Sequence, residues 1–160
     1  MPSATHRYAT RLDWSGSTGV GYEGYGRTHR VSRTGEHGLD VEASADPAFR
    51  GDPALTNPEE LLLAAASSCQ LLSFLAVAAR ARLDVLGYTD DAVAEMPEDD
   101  PPLRVTTIVL RPVVTVRAGE RSADEVDRRV RHLLEVAHRE CFIARSLTSD
   151  IRIEAEVTVV

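Results

Sequence analysis

Three rhythms of apolar and polar residues divide the chain. Apolar residues run almost unbroken from Leu61 to Ala79, recur at helical spacing from Val126 to Cys141, and alternate with polar ones from Ile151 to Val160. The first rhythm predicts a helix with a well-marked start: Asn57 as N-cap, Pro58 at the first helical position, and Glu60 completing an Asn-x-x-Glu variant of the capping box. It should run from Pro58 to about Leu83 and end before Gly87. A bilayer span needs about 20 apolar residues, so that reading has to be weighed. Ser67, Ser68, Gln70 and Ser73 interrupt the run, and Glu59, Glu60, Arg80 and Arg82 flank it. The prediction is a core helix packed on all sides.

The second rhythm predicts an amphipathic helix opening at Ser122, where Ser-Ala-Asp-Glu reads as a capping box. Val126, Val130, Leu133, Leu134, Ala137 and Cys141 form its apolar stripe. Asp124/Arg128, Glu125/Arg129, Asp127/Arg131 and Glu135/Arg139 stand acid before base, four residues apart, on a solvated face. Strands are predicted at Tyr8 to Trp14, in two short runs around Tyr22 to Ser32, and at Leu39 to Ala43, Val85 to Glu95, Leu103 to Arg117 and Ile151 to Val160. Met96 to Pro102 is turn chemistry joining a long hairpin. Strands at both ends around two helices, without regular βαβ alternation, indicate one α+β domain over residues 1–160 with largely antiparallel sheet.

Charge and composition narrow the function classes. The formal charge is -7, from 18 basic and 25 acidic residues. Neither nucleic acid nor an anionic membrane is expected as a partner. Every basic residue is Arg and none is Lys, which excludes Schiff-base chemistry and the phosphate-binding lysine of P-loops. Two cysteines, Cys69 and Cys141, are too few for a disulfide scaffold or a Cys-rich zinc site. Met1 to Trp14 has no apolar leader core, so a cytoplasmic location is expected.

Gly19 to Gly24 matches G-x-G-x-x-G literally, but phosphate binding by that motif needs a helix starting in the glycine turn. Strand-like residues follow, so a twisted or bulged hairpin is expected. Among His6, His29, His37, His132 and His138, only His138 has a ligand-like neighbour at helical spacing, Cys141. Two ligands do not make a metal site, and a solvated histidine near a helix end is the simpler reading. Cys69 shares a helix face with Leu61, Ala65, Leu72 and Ala76, and Cys141 closes the stripe of the second helix. Two inward-facing thiols on the two long helices either meet or stand as inert buried residues, and spacing does not decide between them.

Thr56-Asn57-Pro58-Glu59-Glu60-Leu61-Leu62, followed by Ala-Ala-Ala-Ser-Ser-Cys69, resembles the T-N-P-E-E-L…C signature of the OsmC/Ohr family of organic hydroperoxide reductases. Cys141 falls at the family's second cysteine, and the likeness extends to Trp14-Ser-Gly and Asp46-Pro-Ala-Phe-Arg50-Gly-Asp-Pro. The chain departs from the family at Cys141-Phe142-Ile143-Ala144, where many members carry Cys-Pro-x-Ser.

The resemblance implies an intertwined homodimer, with largely antiparallel sheets wrapped around two long central helices. It further implies that Cys69 is peroxidatic, that Cys141 resolves, and that Arg50 and Glu59 activate Cys69, with Arg27 the reserve candidate for the activating arginine. No bound cofactor is implied; an external dithiol, by analogy a lipoyl group, would reduce the enzyme. Physical chemistry independently asks for a cation, because a free thiol is only a few per cent ionised at neutral pH. Cys69 also lies too far from its helix N-terminus for the dipole to help. Glu59 lies ten residues before Cys69, about 15 Å along a continuous helix. A shared site therefore calls for residues from two subunits. The substrate class implied is an alkyl or lipid hydroperoxide, with Leu61, Leu72, Phe74 and Phe142 as its apolar surroundings. The alternatives are a catalytically silent dimer of the same fold that binds apolar ligands, and a Cys/His hydrolase, which no local nucleophile motif supports.

Overall fold

The structure is a computed structural model that describes residues 4–34 and 38–160; His37 lies outside them. The chain divides into two compact units, Met1–Leu61 and Leu62–Val160.

In the first unit, β1 (Thr10–Asp13), β2 (His29–Arg33) and β3 (Asp40–Ala43) form an antiparallel sheet in the order β1-β2-β3. The expected strand near Tyr22 is absent. The residues between β1 and β2 instead carry a short 3-10 turn at Thr18–Val20, closed by Gly21 at φ 84. No α-helix starts in the glycine segment, so the phosphate-loop reading fails on geometry. Beyond β3, Asp46 organises a second 3-10 turn, Pro47–Phe49: its side chain accepts from Ala48 N–H at 2.7 Å, and its carbonyl accepts from Phe49 and Gly51 N–H. Gly51 is obligatory there, because an added Cβ would sit 1.5 Å from the Ala45 carbonyl oxygen. Asn57 Oδ1 accepts from Glu60 N–H at 2.8 Å while Glu60 Oε2 accepts from Asn57 N–H at 3.2 Å, which is the expected capping box.

That box opens α1 (Pro58–Arg80), which continues into the second unit. The helix ends three residues short of the predicted Leu83. Arg82 adopts a left-handed φ of 55, Leu83 N–H bonds Ala78 O, and Arg82 N–H bonds Ala79 O. This is a Schellman cap without its usual glycine, so the sequence carries no stop signal. α2 (Ala123–Glu140) starts as predicted, with Ser122 and Glu125 forming a capping box, and buries Val126, Val130, Leu133, Leu134 and Ala137. Of the four acid-base pairs expected on its surface, Asp127–Arg131 forms, at 2.8 Å. Glu125 is taken by the cap and Arg129 donates to the Ala81 carbonyl.

Each long strand predicted in this unit is divided between two sheets. Val85 to Glu95 becomes β4 (Val85–Asp90) and β5 (Val93–Glu95). Leu103 to Arg117 becomes β6 (Thr107–Leu110) and β7 (Pro112–Val116), and the last becomes β8 (Asp150–Ile153) and β9 (Glu156–Val159). One sheet has the order β4-β7-β9, the other β5-β6-β8. Across the β6–β7 break the alternation persists, with Ile108, Leu110, Pro112, Val114 and Val116 all buried. Pro112 has no N–H to give the ladder. Arg111 N–H turns aside to Asp90 Oδ1 at 2.7 Å, and its guanidinium meets Glu154 at 3.1 Å, joining the three strands where they divide. The pairs β1–β2, β2–β3, β4–β7 and β5–β6 are antiparallel, while β6–β8 and β7–β9 are parallel.

The division gives α1 two seats. Leu63 and Ala66 pack with Ile108, Leu110, Ile151 and Ile153. Phe74, Val77 and Ala78 pack with α2 and with Val114 and Val116. By length and apolarity α1 is long enough to cross a bilayer. Its inner face is nevertheless held by polar bonds: Gln70 Nε2 donates to Leu134 O at 3.1 Å, and the Ser67 hydroxyl donates to Asp90 at 2.5 Å. The expectation of burial on all sides is corrected. Leu72 is 63% and Leu75 40% exposed, because the elements of the second unit that pack on the helix cover one side of it.

Candidate active site

Cys69 stands mid-way along α1, and Cys141 is the residue at which α2 ends. Both are free thiols; Cys69 is half-buried and Cys141 is buried. Immediately after Cys141 the chain turns through Phe142 and Ile143 into a short 3-10 helix, Ala144–Ser146. That turn aims its amides at both sulfurs. Ile143 N–H donates to Cys69 Sγ and Ala144 N–H to Cys141 Sγ, each at 3.5 Å. The two thiols are close enough to shift each other's ionisation. The question that spacing left open is thus decided by the turn, which returns the chain from α2 onto α1.

The surroundings move the two thiols in opposite directions. Burial is the largest single influence on Cys69 and favours its neutral form, but it is outweighed by donors. The Ile143 N–H, the Cys141 thiol, the Phe142 N–H and the Ser73 hydroxyl together hold Cys69 below the ordinary thiol value. Burial, chiefly, pushes Cys141 up to about 11; the Ala144 amide opposes this, and the neighbouring Cys69 adds to it. A thiolate at Cys69 beside a protonated Cys141 is the favoured ionisation of the pair.

Cys69 opens into a cavity of about 440 Å³ whose walls include Leu72, Ser73, Ala76 and Phe142. The apolar surroundings expected from sequence are corrected in two places. Phe74 is fully buried in the core, and Leu61 belongs to the first unit and does not line the cavity. Ser73 and the amides of residues 142–144 were not singled out by sequence reasoning. Ser73 is legible afterwards as the residue one helical turn beyond Cys69; backbone donors leave no mark in the side-chain pattern.

The remaining predicted site residues lie in the first unit. Arg50, in a left-handed conformation at the end of the Pro47–Phe49 turn, forms an ion pair with Glu23. Arg27 lies over the rings of Tyr22 and Tyr25, 4.8 and 4.0 Å from their centres, and donates to both of their carbonyls at 2.9 Å. Glu59 is half-buried in the first turn of α1 and forms no ion pair among the described residues. His138 is half-buried near the end of α2, with its Nδ1 turned inward and without a hydrogen-bond partner among the described residues. Among the described residues no cluster of three or more His, Cys, Asp or Glu could hold a metal ion.

Residues 51–156 match the family described as OsmC-like protein. An OsmC-like protein of unknown function from Vibrio cholerae is 28% identical, with 96% of this chain and 100% of that one covered at a TM-score of 0.80. An organic hydroperoxide resistance protein from Elizabethkingia anophelis shares the fold at 17% identity, 100% coverage of both chains and a TM-score of 0.70. A Legionella pneumophila organic hydroperoxide resistance protein does so at 15% identity, with 98% and 99% covered and a TM-score of 0.66. No curated protein matches the chain.

Proposed function

The chain belongs to the OsmC-like family, and from that premise we propose that it is a thiol-dependent peroxidase reducing organic hydroperoxides to alcohols. One observation carries the reading: two free thiols from different helices meet, with Cys69 held towards the thiolate and Cys141 towards the thiol. An inert buried pair has no need of such asymmetry.

In the proposed cycle the Cys69 thiolate attacks the terminal oxygen of the hydroperoxide. The O–O bond breaks, an S–O bond forms, and the alkoxide leaves and takes a proton to become the alcohol; sulfur is oxidised and peroxide reduced. The Cys141 thiol then attacks the Cys69 sulfenic acid, forming the disulfide and releasing water. An external dithiol, possessing a lipoyl group or equivalent chemistry, returns both thiols and leaves as its own disulfide. The proposal places the enzyme in the cytoplasm, as two cysteines are too few for a disulfide-stapled secreted scaffold.

The proposal includes a homodimer. Its support is the uncovered side of α1, where Leu72 and Leu75 face outward. Glu59 and Cys69, about 15 Å apart along one helix, then act together only if Arg50 and Glu59 of one subunit complete the cysteine pair of the other.

The test is a count of free thiols before and after one equivalent of cumene hydroperoxide. Loss of both in step supports the peroxidase. Two persistent thiols would leave a ligand-binding protein of the same fold. Cys69→Ser should abolish peroxide consumption, and Cys141→Ser should accumulate a sulfenic acid trapped by dimedone.

A further inference from the structure

One polar side chain on the inner face of α1 is out of keeping with its neighbours. The helix buries Ala66, Gln70, Phe74, Val77 and Ala78, and Gln70 is the single polar member of that set. It is 0% exposed and follows Cys69 directly in sequence. Its Nε2 donates to the Leu134 carbonyl on α2 at 3.1 Å, two helical turns before Cys141. Its Oε1 is buried and accepts from no group among the described residues. A methionine of similar volume would leave no such acceptor unmatched, and the Leu134 carbonyl would keep its partner within the helix. Stability therefore gives no reason for a glutamine here.

Direction does. Phe74, Val77 and Ala78 meet α2 through apolar contacts with residues such as Val130 and Leu134. Apolar contacts are non-directional and specify neither slide nor rotation closely. A hydrogen bond specifies both, because it weakens steeply with distance and angle. A single buried polar residue can thus set the register of two paired helices. Among the described residues, the bond from Gln70 to Leu134 is the one hydrogen bond that joins buried groups of α1 and α2.

The thiols depend on that register. Disulfide formation needs Cα atoms about 4.4–6.8 Å apart, and a slip of one residue moves a helix by about 1.5 Å, more than half of that window. Cys69 is one residue from Gln70, so whatever fixes the slide and rotation of one fixes the other. We infer that Gln70 is a positioning residue for disulfide formation, holding α1 in the register at which the Cys141 sulfur reaches that of Cys69. In the proposed cycle this is the resolving step: the S–O bond of the Cys69 sulfenic acid breaks, the S–S bond forms, and the Cys141 proton leaves with the hydroxyl as water. That role in turnover rests on the peroxidase reading; the control of disulfide geometry does not.

The geometry is tested first without peroxide. The protein is equilibrated with reduced and oxidised glutathione, and the fraction of Cys69–Cys141 disulfide, read by mass spectrometry, gives the effective concentration of the two thiols. Gln70→Met should lower it about tenfold, the size of one net intramolecular hydrogen bond, with a urea midpoint no lower than that of the wild type. Gln70→Leu repeats the measurement with a second apolar side chain. Val130→Ala, a buried change on α2 three turns before Cys141, should lower the urea midpoint and leave the disulfide equilibrium in place. An unchanged equilibrium in the Gln70 variants, an equal fall in Val130→Ala, or failure of both Gln70 variants to fold would overturn the assignment. The second measurement follows sulfenic acid trapped by dimedone after one equivalent of cumene hydroperoxide, which should persist about tenfold longer in Gln70→Met. If the glutathione equilibrium shifts but the wild type consumes no hydroperoxide, the positioning role stands and the peroxidase reading falls. If hydroperoxide is consumed and neither measurement moves, the peroxidase reading stands and the positioning role falls.

Discussion

The backbone N–H of Ile143 donates to the sulfur of Cys69 at 3.5 Å, so the turn that ends the helix of one thiol helps to ionise the other. Resolution and activation are thereby built into one short stretch of chain. The Cys141-Phe142-Ile143-Ala144 turn supplies amides at residues 142, 143 and 144 that face sulfur. A proline directly after Cys141 would remove the first of these donors.

The pH dependence of alkylation follows from these contacts. Below its pKa a thiol is protonated and unreactive, and above it the thiolate reacts. Cys69 should therefore alkylate through an inflection below the ordinary thiol value, and Cys141 only through one near 11. Cys69→Ser removes a partner whose hydrogen bond and charge both raise Cys141, so the Cys141 inflection should fall. An unchanged Cys141 profile in that variant would refute the coupling.

Ser73, one turn along α1 from Cys69, helps to hold its pKa low and acts as a positioning residue for the thiolate. Ser73→Ala should move the Cys69 inflection upward, with Ser73→Thr moving it back. Mass-resolved alkylation across pH reads this directly, and a purely structural serine would leave the inflection in place.

Phe74 is fully buried and packs its ring 5.9 Å from that of Tyr88. Phe74→Ala should cost about 3–5 kcal/mol, the usual penalty for emptying an aromatic core site. Urea unfolding at fixed protein concentration measures it; a cost below 1 kcal/mol would mean the core closes over the gap.

The next residue should behave differently. Leu75 is 40% exposed on the open side of α1, and Leu75→Glu should break the proposed dimer while sparing the fold of each chain. Light scattering should show the mass fall by half. A wild-type chain that already runs as a monomer would remove the dimer and its composite sites together.

Arg82 holds a left-handed conformation at the α1 cap, which favours glycine. Arg82→Gly should stabilise the protein by about 0.5–1 kcal/mol, relief of backbone strain outweighing the added freedom of the unfolded chain. A lower urea midpoint in this variant would contradict the role given to the cap.

Local rules were enough to read much of the chain. Both capping boxes were legible because a cap is a contact between residues three apart. The buried stripe of α2 and the alternation of Ile108 to Val116 were legible because periodicity alone decides which face turns inward. The end of α1 was not, since Arg82 takes the place of the glycine that would have marked it.

Four matters belonged to the tertiary structure. The long strands divide between two sheets because Pro112 and Arg111 break the ladder, and partner exchange has no signature in alternation. The open side of α1 depends on how much surface the other elements can cover. The cavity at Cys69 exists only once the turn after α2 brings Phe142 beside Leu72 and Ala76. Helical spacing was enough to put the two thiols on the inner faces of two helices. Only the return of the chain at residues 142–144 decided that they meet, because their contact spans 72 residues of sequence and depends on backbone amides that no residue type announces.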